Sequence, residues 1–237
     1  MGDIHVILLP SLENEFVVVG LHTTCLFCIW IQRSTRKYYQ VRAYRIYPCD
    51  RYQIGRGILF NATWIGTSIS TFLKTYHIEH AFISFMPDIT SVKHGFVSCT
   101  TALPSAQDFA SYKTRGTLHA YDYLYPHDDT FLFYWYHIPY TLLMQYMCLA
   151  ITYAFNCIRI TPRFCALLYA YRMIQGAAFR QSQLALDMHT IDNRISRYFT
   201  PDIITQSVHG IDAPLLQNRV ALLDTIAACG LLHCQKE

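Results

Sequence analysis

The amino-acid sequence predicts an α/β protein with mixed sheets, and three observations carry that expectation. The first is a set of strand-like runs near the start, Phe16–Gly20, Cys25–Gln32 and Tyr38–Tyr47, rich in Val, Ile, Tyr and Phe and parted by polar turns. The second is Ile65–Tyr76, "IGTSISTFLKTY", whose apolar residues recur at helical spacing ahead of an apolar strand, His80–Met86, closed by Pro87. The third is an alternation in the second half: Phe131–His137 as strand, Tyr140–Ala154 as helix, Cys157–Thr161 as strand and Pro162–Gln175 as helix. Proline at the head of both helices, Pro139 and Pro162, suits a first turn that needs no N–H. The same ingredients occurring twice predict a duplicated αβ unit.

The remaining segments follow the same logic. Pro48 ends the third strand and "YPCDRYQIGRG" (Tyr47–Gly57) reads as a loop. Phe96–Thr100 is a further strand, and Pro104–Tyr112, opening on "PSAQD", suits a short helix. Leu184–Met188, Arg194–Phe199 and Ile203–Val208 read as three short strands, and Asn218–Leu232 as a last apolar helix.

Composition narrows the class of function. Charged residues and aromatics each make up 15% of the 237 residues, a balance that excludes intrinsic disorder. A formal charge of +3 without a Lys/Arg cluster gives nucleic acid no footprint, and "RSTRK" (Arg33–Lys37) reads as a solvated hairpin turn. The cysteine count is nine, odd and irregularly spaced, with no secretory signal ahead of it; this predicts reduced thiols in a cytosolic core. "CLFC" (Cys25–Cys28) lies in a strand, with no second C-x-x-C to complete a zinc site. Ile138–Ile158 carries no charge and is long enough to span a bilayer. Its Pro139, Gln145 and Asn156, and the strands on either side, favour a helix buried in an α/β core, with a small integral membrane protein as the alternative.

Candidate chemistry is sparse. "VVVGLHTT" runs a β-branched strand into Gly20 and a tight polar turn, as many phosphate-binding hairpins do. Magnesium wants hard oxygen ligands, however, and the position that would hold a carboxylate is His22. "HIEH" (His77–His80) has ligand-like spacing but falls at a turn. "HAYDYLYPHDD" gathers His119, Asp122, His127, Asp128 and Asp129, the kind of set a metal-dependent hydrolase would use. Its other reading is a tyrosine-rich surface loop with solvated charges.

The order of these landmarks resembles the PilM family of type IV pilus assembly proteins, with the HofM-like competence proteins and the cytoplasmic domain of GspL. The matching stretches are "VVVGLH", "YYQVRAYRIYP", "FLKTYHIEHAFISFMPDI", "FNCIRITPRFCALLYAYRM", "QLALDMHTIDNRISRYF" and "RVALLDTIAACGLLH". The resemblance covers most of residues 15–233 and implies an actin-like, ribonuclease-H-like fold in a compact form lacking the nucleotide-closing subdomain. It implies an N-terminal extension over residues 1–14, a first subdomain over 15–130 with an insertion, and a second, truncated one over 131–237.

By the same resemblance a degenerate nucleotide site would involve Gly20, Thr23, Thr24, Asp187 and Thr190. The family's first phosphate loop follows Gly-x-Asp-x-Gly, whereas here it reads Gly20-Leu21-His22-Thr23-Thr24; after Asp187 the expected glycine is His189 two residues on. No Gly-Gly pair exists for an adenosine segment, so residual ATP or magnesium binding is not expected. The implied role is non-enzymatic: a cytoplasmic scaffold peripheral to the inner membrane that holds the tail of a PilN-like bitopic partner and touches the membrane only indirectly; a homodimer is left open, through exchange of the N-terminal extension between copies. Such tails take the form Ile-Asn-Leu-Leu-Pro, and Val6-Ile7-Leu8-Leu9-Pro10 shares its Leu-Leu-Pro. The extension would then imitate the partner tail.

Overall fold

The computed structural model describes residues 15–34, 38–79, 82–89, 94–100, 116–127, 130–175, 195 and 197–234. A meander of β1 (Glu15–Leu21), β2 (Cys25–Arg33) and β3 (Tyr39–Pro48) opens the chain, in antiparallel register with Val19 opposite Cys28 and Phe27 opposite Ile46. Alternating Val, Ile and aromatic residues favour the pleat, and a bulge between Trp30 and Ile31 shifts the β2–β3 pairing. A two-residue-stranded hairpin, β4 (Ile54–Gly55) and β5 (Ile58–Leu59), leads to α1 (Ala62–Thr75), whose N-terminus is capped by the Asn61 side chain accepting from the Trp64 N–H.

Next come β6 (Phe82–Pro87), β7 (His94–Cys99), β8 (Thr117–His127), β9 (Thr130–Pro139), α2 (Tyr140–Thr152), β10 (Asn156–Ile160) and α3 (Arg163–Gln175). The chain closes with α4 (Pro201–Ser207), β11 (Val208–His209), α5 (Ala213–Gln217) and α6 (Arg219–Cys234). One six-stranded sheet runs β10-β6-β1-β2-β3-β11, and β7-β9-β8 form a separate three-stranded antiparallel sheet inserted between β6 and α2. Strands β1, β6 and β10 are parallel neighbours. Since β10 lies beyond residue 130, the main sheet takes strands from both sides of the boundary drawn there.

The crossovers β3–α1–β6 and β6–α2–β10 move in the same direction across the sheet, and right-handedness therefore places α1 and α2 on one face. They touch where the Tyr153 ring lies against Gly66 and its hydroxyl donates to the Thr63 carbonyl. The opposite face carries α3 and α6. These meet backbone to backbone: a Cβ added at Gly230 would fall 2.5 Å from the Ala166 carbonyl oxygen and collide with the Ala170 N–H. With both faces covered, β1 and β2 read as near-continuous apolar runs, and Val17, Val18, Val19, Ile29 and Ile31 are fully buried.

Most elements lie within a few residues of where the sequence places them, and three expectations need correction. Ile203–Val208 is helical over Pro201–Ser207, because Thr200 caps it, Pro201 starts it and Asp202 suits the positive end of its dipole. Ile195, Arg197 and Tyr198 are also helical rather than extended. The tyrosine-rich stretch expected to be a surface loop is strand β8, paired with β9 from Thr117↔Pro139 to His127↔Thr130; its aromatic content outweighs its charges. Cys25 and Cys28 are buried free thiols, and burial raises both above the usual range. No helix among the described residues is long and apolar enough to cross a membrane. The short helix expected at Pro104–Tyr112 and the strand at Leu184–Met188 lie outside the described residues.

The α3–α6 contact yields a direct test. Gly230→Ala should gain about 1 kcal/mol of helix propensity and lose more, because the colliding atoms are backbone and cannot rotate away. Overpacking of this kind costs about 1–3 kcal/mol. Urea denaturation is expected to show net destabilisation; a stabilised variant would mean that the helices separate freely.

Candidate functional site: a buried ion cluster at the first hairpin turn

The turn between β1 and β2 spans His22, Thr23 and Thr24. The His22 N–H donates to the Cys25 carbonyl at 2.9 Å, and the Cys49 N–H donates to the Thr24 carbonyl at 3.0 Å, which ties the end of β3 to the turn. Thr23 and Thr24 are exposed, whereas His22 is buried. Its imidazole points inward and meets carboxylates from two segments elsewhere in the chain.

Asp224, on the second turn of α6, sits at the centre. One carboxylate oxygen lies 2.5 Å from His22 Nε2, and the other accepts from Arg163 Nε at 2.6 Å. The other imidazole nitrogen, Nδ1, lies 3.5 Å from Asp88, just beyond β6. Asp224 is fully buried, His22 nearly so, and Arg163 mostly so, while Asp88 reaches solvent. The four groups pair two cations with two anions when His22 is protonated. Arg163 occupies the first residue of α3, where a helix dipole disfavours a cation; a carboxylate directly beside it offsets that cost.

Burial alone would depress the His22 pKa, and it is the largest single influence. The charge and hydrogen bond of Asp224, joined by the bond to Asp88, outweigh it and lift His22 to about 9. Burial pushes Asp224 up, but the charges and hydrogen bonds of His22 and Arg163 prevail and hold it below the usual carboxylate range. Imidazolium, guanidinium and carboxylate therefore coexist at neutral pH.

Gly20 faces the same carboxylate. A Cβ added there would collide with the Asp224 carboxylate oxygen, so the glycine is the space into which Asp224 fits. Of the residues expected at a nucleotide site, the structure brings Gly20, Thr23 and Thr24 to this turn, while Asp187 and Thr190 lie outside the described residues. The segment Val6–Pro10 also lies outside them.

Within the hydrolase set, His119, Asp122 and His127 fall on β8, and Asp128 and Asp129 lie outside the described residues. No group of three or more His, Cys, Asp or Glu able to hold a metal occurs among the described residues. His77 takes a left-handed φ of 55° just past α1, and its partner in "HIEH", His80, lies outside the described residues.

Sequence reasoning missed Asp224, Arg163 and Asp88 as partners of the turn. A signal was present for the first: Asp224 is the sole acid in "RVALLDTIAACGLLH", and an acid inside an otherwise apolar helix needs a cation. Nothing local pairs Asp224 with His22, since they stand 202 residues apart.

No protein-family model and no curated protein matches this sequence. Among solved structures the chain is similar to the PilM–PilN type IV pilus biogenesis complex, with a TM-score of 0.55 and 10% identity over 69% of this chain and 51% of that one. The cytoplasmic domain of EpsL, an inner membrane component of the type II secretion system of Vibrio cholerae, matches with a TM-score of 0.36 and 12% identity, over 64% and 57% of the two chains. A Bacteroides thetaiotaomicron protein with an actin-like ATPase fold and unknown function matches with a TM-score of 0.34 and 8% identity, over 68% and 57%. The chain thus spans about half the length of the PilM–PilN chain that it matches. The first likeness, with the sheet order above, establishes a compact actin-like α/β fold of the PilM type.

The cluster predicts a signed pH dependence. Asp224, with its lowered pKa, contributes stability above its ordinary value of 3.8, lost as pH falls through the folded value. His22, raised from 6.5 to about 9, contributes fully below 6.5, and its share disappears as pH rises through about 9. His22→Gln should therefore be less stable than the parent by about 3 kcal/mol near pH 6, with the gap closing between pH 6.5 and 9. Urea midpoints of both proteins across that range check it; a constant gap would show that His22 is not charged in the fold.

Proposed function

We propose that this chain is a non-enzymatic scaffold of the PilM type, peripheral to the cytoplasmic side of an inner membrane, that holds the tail of a PilN-like bitopic partner in type IV pilus, competence or type II secretion machinery. The observation that carries this reading is the Asp224 carboxylate against Gly20. In a phosphate-binding hairpin that space admits a phosphate oxygen, and glycine is there to let it approach. Here the chain supplies its own anion, neutralised by His22 and Arg163.

The residues present do not fit a magnesium–nucleotide group. An incoming phosphate would meet a buried carboxylate, and His22 offers no hard oxygen to magnesium. A fold that has closed its phosphate turn and kept its architecture is suited to binding rather than turnover. The likeness to a PilM–PilN complex supports a peptide tail as the ligand, and the Leu-Leu-Pro shared by residues 8–10 supports an extension that competes for the same groove.

Titration calorimetry tests the reading in two arms. Mg-ATP should give no binding; a micromolar dissociation constant abolished by Asp187→Ala would overturn the closed site. An Ile-Asn-Leu-Leu-Pro peptide should bind, and more tightly to a chain lacking residues 1–11, because an internal competitor has gone. Equal affinity for both forms would remove the competing extension, and no binding by either would remove the scaffold reading.

A further inference from the structure

Helix α2 was expected to be a buried helix between two strands, and it is buried on one face only. Leu142, Tyr146, Leu149 and Ala150 turn inward, with the Tyr146 hydroxyl donating to the Gly57 carbonyl at 2.7 Å. The outward face carries Tyr140, Met144, Met147 and Ile151, exposed at 49%, 52%, 44% and 76%. No charged residue interrupts the helix from Tyr140 to Thr152.

The spacing of the four is 4-3-4, the a/d spacing of a helix–helix seam. It is also a palindrome. A two-fold axis crossing α2 between Gln145 and Tyr146 lays Tyr140 against the partner's Ile151 and Met144 against the partner's Met147, so every exposed apolar residue meets another. An isologous contact demands self-complementarity of this kind, and the 4-3-4 spacing supplies it. We infer that α2 is the seam of a symmetric antiparallel dimer of this chain.

The alternatives fit less well. Helices that lie on a lipid surface carry Lys or Arg along the polar face, and α2 has neither. A charged partner would find nothing to complement. For two identical chains of net charge +3, an uncharged seam avoids placing like charges opposite each other. Area also agrees. Two copies of the stripe remove roughly 800 Å² from water, and the exposed Thr141, Cys148 and Thr152 beside it bring the total near the ~1,200 Å² lower bound of specific interfaces. A contact of that size with a methionine-rich centre points to a dimer that dissociates at micromolar concentration.

Sedimentation equilibrium up to about 100 μM protein tests it, with the near-ultraviolet circular dichroism of each variant confirming the fold. The parent should move from 27.5 kDa toward twice that mass. Met144→Lys with Met147→Lys places like charges across the two-fold and should leave a monomer. Met144→Lys with Met147→Glu places opposite charges there and should restore the dimer. Ile151→Ser, a milder change at the most exposed position, should weaken association about tenfold. A parent that stays monomeric throughout overturns the proposal and leaves the stripe to a different helix. A dimer that survives the double lysine variant, or that is not restored by the Lys/Glu pair, overturns it equally.

Discussion

A fully buried carboxylate cannot be left alone, and the rest of this structure is arranged around satisfying one. Asp224 lies in an apolar helix where an isolated charge would be prohibitively costly. His22 and Arg163 answer it from segments 202 and 61 residues away. The first hairpin turn, the start of α3 and the C-terminal helix are therefore bound into one unit. Removing either cation leaves a buried anion short of a partner, which is why such clusters destabilise strongly when broken although their net contribution when intact is small.

That same constraint accounts for a local residue choice otherwise hard to understand. Gly20 sits in a strand interior, where glycine weakens packing and costs backbone entropy. The collision that any Cβ would suffer with Asp224 explains it. A glycine kept for an incoming phosphate and a glycine kept for an internal carboxylate look identical in sequence. Physically both reflect one need, the close approach of an anion to backbone, and in this chain the anion is covalently supplied.

The two faces of the sheet are used differently. On one, α3 and α6 meet through Ala166, Ala170 and Gly230, so closely that no side chain fits between their backbones at Gly230. On the other, α1 and α2 leave an outward apolar stripe along α2. One face is closed behind the hairpin turn, and the other leaves the α2 stripe exposed. The inserted β7-β9-β8 sheet has a minor core of Cys99, Phe133 and Trp135 on one face, while Tyr134, Tyr136 and Ile138 of β9 join the main core.

By itself the sequence determined the fold class, the meander β1–β3, the proline-initiated helices and the absence of a carboxylate at position 22. These depend on short-range patterning: alternation along strands, helical spacing, and the φ restriction of proline. It also misread Ile203–Val208 as a strand, since two β-branched isoleucines outweighed the Thr200-Pro201-Asp202 cap signal. Only the tertiary structure decided which charges meet, because the separation of His22 from Asp224 in the chain carries no information about their separation in space. It alone decided that the expected surface loop is strand β8, and that α2 keeps one face uncovered. Periodicity reports which residues share a face of a helix; whether another element covers that face is settled by the path of the chain around the sheet.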